Sequence, residues 1–277
     1  MRELACGRFR LPLIRPLVMG VVNVTPDSFS DGGRFASLEM ALQQARQLIE
    51  EGADILDIGG ESTRPGAQAV PVAEELDRVI PLLEALAESP IPLSIDTYKP
   101  AVMAAALSAG ASMVNDVKAL REPGALAVLR GSDAAVCLMH MQGTPETMQI
   151  DPRYDDVVGE VCGFLGERVA ACEAAGIDRT RIVIDPGFGF GKTKAHNIDL
   201  LRHLGRLAAL GRPILAGLSR KSVLGTITAR SVGERVHSSV AAALVAVYRG
   251  AAIVRVHDVR ATRDALAVYE AVESNHD

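Results

Sequence analysis

The sequence predicts a single (β/α)8 barrel over residues 1–277, the TIM-barrel architecture, with long loops after strands 1 and 2. Short β-branched apolar runs alternate with longer helical patterns from one end to the other, and eight such pairs can be counted. Strands separated by crossover helices run parallel, and eight units can close into a ring that leaves no exposed edge. The length of 277 residues suits one barrel, and no Pro/Gly/Ser-rich linker or finer repeat divides it. A doubly wound open sheet is the alternative fold.

The strands are expected at 17–24, 55–59, 93–96, 113–117, 135–139, 181–185, 214–217 and 253–257. In the first helix Leu38, Ala41, Leu42, Ala45, Leu48 and Ile49 fall on one stripe, Glu39, Gln43, Gln44 and Arg46 face elsewhere, and Gly52 ends it. Helices near 72–88, 155–175, 195–209 and 259–273 follow similar patterns. The helix at 238–247 is apolar nearly all round, which suggests burial of its outer face, by a second copy of the chain or by a terminal segment.

Composition excludes several classes. With 48% hydrophobic and 23% charged residues the chain is globular, and the lack of Trp fits an Ala, Val and Leu core. A net charge of -5 with scattered cations offers no basic stripe for nucleic acid. Cys6, Cys137, Cys162 and Cys172 are widely spaced without a CxxC pair, so they read as reduced thiols rather than a zinc site or disulfide framework. Arg10, Pro12, Arg15 and Pro16 interrupt the N-terminal apolar stretches, and no segment reaches membrane-spanning length; a cytoplasmic protein with no membrane partner is expected.

In this fold, catalytic groups gather at the C-terminal ends of the strands. Asn23, Asp57, Asp96, Asn115, His140, Asp185, Ser219 with Arg220 and Lys221, and Arg255 with His257 all lie at or just beyond a strand end. Any one alone reads first as a helix cap or a rim salt bridge. Their recurrence at nearly every strand points to a site. The segments 23–33 and 59–66, rich in Gly, Pro, Ser and Asp, have the composition of lids as well as of ordinary surface loops. The segment 185–193 fails both nucleotide templates, because Pro186 stands where a phosphate loop needs its first Gly and Lys192 where a dinucleotide fingerprint needs its third. It reads as a tight βα turn placing Asp185 at the barrel mouth, with Phe188 or Phe190 as a wall. No nucleophile elbow, Ser-His-Asp constellation or HExxH motif appears.

Barrels often bind phosphate at the ends of strands 7 and 8, where this chain has Ser219-Arg-Lys-Ser222 and Arg255-Val-His257. The i, i+2 spacing puts Arg255 and His257 on one side of their strand, free to converge on an anion. A buried ion pair with a neighbouring carboxylate, such as Asp258, is the other reading.

The segments NVTPDSFSDGG at 23–33, GGESTRPG at 59–66, DT at 96–97, ND at 115–116, LMHMQG at 138–143, DPGFGFGK at 185–192, SRKS at 219–222 and RVHD at 255–258 resemble the bacterial dihydropteroate synthase family in identity, order and spacing. The resemblance covers essentially the whole chain; departures such as Tyr98 and His237 lie outside the residues assigned to chemistry. It implies a transferase of folate biosynthesis that joins 6-hydroxymethyl-7,8-dihydropterin pyrophosphate to p-aminobenzoate and releases pyrophosphate. It further implies pterin binding by Asp96, Asn115, Met139, Asp185, Phe190, Gly217 and Lys221. Asn23, Arg64, Arg255 and His257 would grip pyrophosphate, with Asn23 also touching Mg²⁺. Phe29, Thr63, Pro65, Lys221 and Ser222 would hold p-aminobenzoate. The chemistry would rest on Asn23, Asp96, Asp185, Lys221, Arg255 and His257. Sulfonamides, which mimic p-aminobenzoate, would bind as inhibitors, and the family assembles as a homodimer.

Two rivals remain at this point. A pterin-binding methyltransferase acting on a methyltetrahydrofolate shares the Asp and Asn edge, but has no use for the cations Arg255, His257 and Lys221 or for the intact first loop. A non-catalytic paralogue would have no need of a complete site.

Overall fold

A computed structural model of the chain describes residues 3–24, 33–64 and 66–273, with side chains in the first helix described from residue 37. It begins with an element the sequence reading did not place, an antiparallel hairpin of β1 (Glu3–Cys6) and β2 (Phe9–Pro12). Its turn runs through Gly7, at φ +56, where a Cβ would come within 2.8 Å of Ser112 Cβ. Leu4 and Cys6 are fully buried among inward side chains of the barrel strands, so the hairpin closes the end opposite the strand C-termini.

Eight parallel strands with intervening helices follow: β3 (Leu17–Asn23), α1 (Gly33–Glu50), β4 (Ile55–Gly59), α2 (Val72–Ala85), β5 (Leu93–Asp96), α3 (Pro100–Ser108), β6 (Met113–Asp116), α4 (Ala125–Arg130), β7 (Ala135–Met139), α5 (Val157–Ala174), β8 (Ile182–Asp185), α6 (Lys194–Arg202), β9 (Leu215–Ala216), α7 (Ser222–Thr228), α8 (Val236–Tyr248), β10 (Ile253–Val256) and α9 (Val259–Glu273). The order around the sheet is β8-β7-β6-β5-β4-β3-β10-β9. A bridge between Ile184 and Ile214, with the Ile184 N–H donating to the Pro213 carbonyl at 3.0 Å, brings the two ends together and nearly closes the ring. The open doubly wound alternative is set aside.

Most strands match the expected spans to within a residue, but β9 shrinks to two residues, between Pro213, which has no N–H to donate, and Gly217. The helix expected at 195–209 stops at Arg202 and continues as a 3₁₀ segment from Leu204, where Gly205 weakens any longer α-helix. α1 ends as its sequence predicts: Gly52 sits at φ +94, its N–H donates to Ile49 and that of Ala53 to Leu48, which satisfies the last carbonyls of the helix. Among the described residues no helix is long and apolar enough to cross a membrane. All four cysteines are unpaired, and burial pushes Cys6 up to about 12.

Candidate active site

Alternation along each strand decides what enters the barrel. Met19, Ile55, Met113, Val183, Leu215 and Ile253 form the apolar lower interior. Further along the same inward files the residues turn polar. Asn23 stands four beyond Met19, and Asp57, Asn115, Asp185 and Arg255 stand two beyond Ile55, Met113, Val183 and Ile253. The wet end of the barrel is thus a direct product of the strand period.

Arg255 is the hub of this layer. Its Nε donates to Asp57 Oδ2 at 2.5 Å and a terminal nitrogen to Asp96 Oδ2 at 2.7 Å. Asn115 Nδ2 donates to the same Asp57 oxygen at 3.1 Å, which leaves the Asn115 carbonyl oxygen as the end available to a ligand donor. Burial opposes the charge on Arg255, but Asp57 and Asp96 outweigh it and hold the guanidinium above its ordinary range. Burial pushes Asp96 up to about 7 against the pull of Arg255. Asp57 Oδ1 is buried without a partner among the described residues. The ion pair left open by the sequence therefore exists, with Asp57 and Asp96 as partners. Asp258 instead takes Arg220 in a two-pronged bridge of 2.6 and 3.1 Å.

Asp185 Oδ1 accepts the Gly187 N–H at 2.7 Å. Gly187 is required there, since at φ +68 a Cβ would lie 1.9 Å from the His140 carbonyl oxygen. Lys221 Nζ donates to the Phe188 carbonyl and lies 4.5 Å from the Phe190 ring centre. A Cβ on Gly217 would lie 3.8 Å from Lys221 Nζ and 3.9 Å from Asp185 Oδ2, so the glycine keeps a space open between a carboxylate and an ammonium. Burial raises Asp185 and lowers Lys221 to about 8, each partly offset by the other. Met139 and Phe190 line this side with Val117, Met141, Met148 and Tyr98. Phe188, the other candidate wall, is fully buried in the outer core instead.

His257 is fixed by Ser219, whose Oγ is 3.0 Å from Nδ1 and accepts the His257 backbone N–H at 3.2 Å. Burial, aided by Arg255 and Arg220, drives the imidazole down to about 4, so it is neutral at pH 7. Arg64 is exposed and its charge also reaches that imidazole. Asn23 Oδ1 and Asp96 Oδ2 both lie within 4 Å of where a Gly59 side chain would begin, at 3.8 and 3.9 Å. Ser222 is exposed at the start of α7 and Thr63 is half-buried. Phe29 and Pro65 lie outside the described residues.

The second loop is less free than its composition suggests. Lys99 Nζ donates to Glu61 and, at 2.5 Å each, to Glu75 and the Val70 carbonyl, while Tyr98 donates to Glu61 at 3.2 Å. The Gly66 N–H reaches the Pro145 carbonyl at 3.1 Å. Sequence reasoning gave no role to Asp57, although its place two beyond Ile55 carried the signal. It also missed the Glu61, Lys99 and Glu75 cluster, whose members have no local pattern in common.

The model of the family described as pterin binding enzyme matches residues 19–257. The chain is 55% identical to the dihydropteroate synthase of Neisseria meningitidis serogroup B over 97% of each chain. Among solved structures it resembles Xanthomonas albilineans dihydropteroate synthase with 4-aminobenzoic acid, at 58% identity and a TM-score of 0.93 over 98% of each chain. It resembles the Yersinia pestis dihydropteroate synthase complexed with a sulfonamide drug at 48% identity and a TM-score of 0.93, again over 98% of each.

Proposed function

Because the chain belongs to the pterin-binding enzyme family, among the dihydropteroate synthases, we propose that its barrel mouth joins 6-hydroxymethyl-7,8-dihydropterin pyrophosphate to p-aminobenzoate. The carrying observation is the row of acceptors above the apolar lower interior of the barrel: Asp185, Asp96 and the side-chain oxygen of Asn115, whose Nδ2 is committed to Asp57. A pterin presents adjacent N–H donors on its 2-amino-4-oxo edge, and Asp185 accepts two of them while Asp96 and Asn115 complete the edge. Lys221 meets the ring's acceptors from the opposite side of the Gly217 gap. Met139 and Phe190 cover the ring faces. An unpaired polar group in such a place costs about 1–3 kcal/mol, so the edge and its partners select each other.

Asn23, Arg64, Arg255 and His257 take the pyrophosphate. Burial and the neighbouring arginines hold the His257 imidazole below its ordinary range, and a pyrophosphate beside it would favour the protonated, positively charged form. Arg255 contributes a charge already shared with Asp57 and Asp96, so it orients the site as much as it neutralises the leaving group. Among the described residues no three His, Cys, Asp or Glu side chains converge on a metal position. The Asn23 amide oxygen beside the Asp96 carboxylate is a hard-oxygen donor set that suits Mg²⁺ sharing its coordination with substrate phosphates and water. Asn23 would hold Mg²⁺ there, and the ion would supply further charge neutralisation to the pyrophosphate.

In the reaction the bond from the pterin methylene to the pyrophosphate oxygen breaks first, and pyrophosphate leaves with its electron pair. The arylamine nitrogen then bonds to the electron-poor methylene and gives up a proton to solvent. That amine is neutral near pH 7, so positioning suffices. Phe29, Thr63 and Pro65 from the two loops, with Lys221 and Ser222, hold p-aminobenzoate and, by the same contacts, sulfonamides.

The reading extends to residues 1–277 as one cytoplasmic domain working as a homodimer. Tyr248 of α8 and Val272 of α9 are 69% and 77% exposed, which leaves apolar surface for a second copy to cover. The test is product analysis: the purified protein given both substrates and Mg²⁺ should yield dihydropteroate and pyrophosphate one to one, and much less without Mg²⁺. Methyl transfer from a methyltetrahydrofolate, or no product at all, would refute the assignment.

A further inference from the structure

The lysine of the 185–193 segment, which a nucleotide loop would aim at phosphate, is turned inward here: Lys192 is 3% exposed. Its Nζ has three acceptors, His140 Nδ1 at 2.9 Å, the Phe190 carbonyl at 2.9 Å and the His140 carbonyl at 3.4 Å. An ammonium carries three N–H donors, so each has a partner. The His140 N–H in turn donates to the Asp185 carbonyl at 3.0 Å. One cation thereby joins the end of β7, the end of β8 and the turn that carries Phe190. Neighbouring bonds lock the same turn: Gly189 N–H to Asn197 Oδ1 at 2.7 Å, Asn197 Nδ2 to the Lys192 carbonyl at 3.3 Å, and Tyr154 OH to the Gly191 carbonyl at 2.8 Å.

We propose that Lys192 is a positioning residue for pterin recognition, holding the Phe190 wall and the Asp185 carboxylate in register from behind without touching the ligand. The inference rests on the pterin reading of the barrel mouth. A hydrocarbon of the same length would fill the space, and burying an ammonium carries a desolvation cost, so the charge itself calls for a role. Burial lowers Lys192 to about 7, with Asp185 pulling it back up. The same coupling works in reverse, favouring the ionised Asp185 that accepts two N–H groups. His140 completes the arrangement: burial, then Lys192, hold its imidazole down to about 3, so a neutral ring presents Nδ1 as an acceptor. The other groups facing Asp185 are Lys221 at the start of α7, Arg255 on β10, the Gly187 N–H on its own turn and the Cys137 thiol on β7. Asp57 and Asp96 stand on the far side of Arg255.

The test is calorimetric titration of 6-hydroxymethylpterin into the wild-type protein, Lys192→Met and Lys192→Gln from acid to mildly alkaline pH, with steady-state KM for p-aminobenzoate alongside. Lys192→Met should lose about tenfold or more in pterin affinity at neutral pH. Its acid-side fall in affinity should begin at higher pH, because Asp185 has lost one of its cations. Lys192→Gln keeps an N–H for the Phe190 carbonyl, and should recover part of the affinity with the acid limb still displaced. The KM for p-aminobenzoate should stay within about twofold in both. Unchanged affinity and an unmoved limb in Lys192→Met would overturn the proposal. So would parallel losses for both ligands with the limb in place, which packing alone would produce. If Lys192→Met does not fold, Lys192→Gln carries the limb test, and failure of both to fold would assign the residue to the core. Absence of pterin binding by the wild-type protein would refute the pterin reading itself, a result distinct from all of these.

Discussion

Arg255 on β10 donates its Nε–H to Asp57 on β4 at 2.5 Å, reaching past β3, the strand that separates them in the barrel. Asp57 is completely buried, so removing it leaves a guanidinium whose one remaining carboxylate partner among the described residues is Asp96. Asp57→Ala should cost about 3 kcal/mol in urea unfolding, the range for breaking a buried pair from one side. A loss below about 1 kcal/mol would show that Asp96 alone satisfies Arg255.

The same pairing divides two residues that the sequence treats alike. His257→Ala should weaken binding of pterin pyrophosphate while phosphate-free pterin binds almost normally, because among the described residues the imidazole is hydrogen-bonded to Ser219 alone. Arg255→Ala should weaken both ligands, since Asp96 and Asp57 lose the cation that orders them. Titrations of both variants with both ligands check this, and a purely phosphate-selective loss in Arg255→Ala would contradict the hub role.

Burial depresses His257 to about 4 from its ordinary 6.5, so below pH 6.5 the unfolded chain binds protons that the fold refuses. Stability contributed by this group is therefore full above pH 6.5 and falls as the pH drops toward 4. An anion beside the ring favours the protonated form. Pyrophosphate binding near pH 6.5 should thus take up protons, measurable by calorimetry in buffers of different ionisation enthalpy, and His257→Ala should reduce the uptake. Equal uptake in the variant would move the proton elsewhere.

The contacts proposed for the pterin, Asp96, Asn115 and Asp185, sit on strand ends, whereas Phe29, Thr63 and Pro65, proposed for p-aminobenzoate, fall in the segments after strands 1 and 2, so the sites should fill in order. p-Aminobenzoate and sulfonamides should bind the free protein poorly and bind well once pyrophosphate and Mg²⁺ are present. Deleting residues 27–33 should keep pterin affinity and abolish both turnover and pyrophosphate-dependent sulfonamide binding. Tight p-aminobenzoate binding without pyrophosphate would rule out an induced second site.

The barrel was legible in the sequence because a buried parallel strand and an amphipathic helix each carry a periodic signature. The ring of polar residues followed from the same period of two, as Asp185 after Val183 and Arg255 after Ile253 illustrate. The hairpin of β1 and β2 escaped because two four-residue strands, the second carrying Arg10, give almost no period to read. Partner choice was hidden for another reason. Arg255 and Asp57 are 198 residues apart, and spacing alone suggested Asp258 as the neighbouring carboxylate, whereas closure of the barrel brings Asp57 to Arg255. Nor did the sequence assign Lys192 a partner, since only the fold brings its ammonium to His140.

The proposed function stands or falls with Asp185, whose carboxylate would accept the donor edge of a pterin. Asp185→Asn is the sharpest probe, because an amide presents a donor to a ring that also donates, while the backbone of β8 is unaffected. Turnover with both substrates and affinity for 6-hydroxymethylpterin should be measured on the wild-type and variant proteins, with unfolding midpoints as a control. Asp185→Asn should lose about a hundredfold or more in affinity, with a matching loss in kcat/KM and the fold intact. A folded Asp185→Asn protein that binds the pterin and turns over as the wild type does would contradict the proposed function.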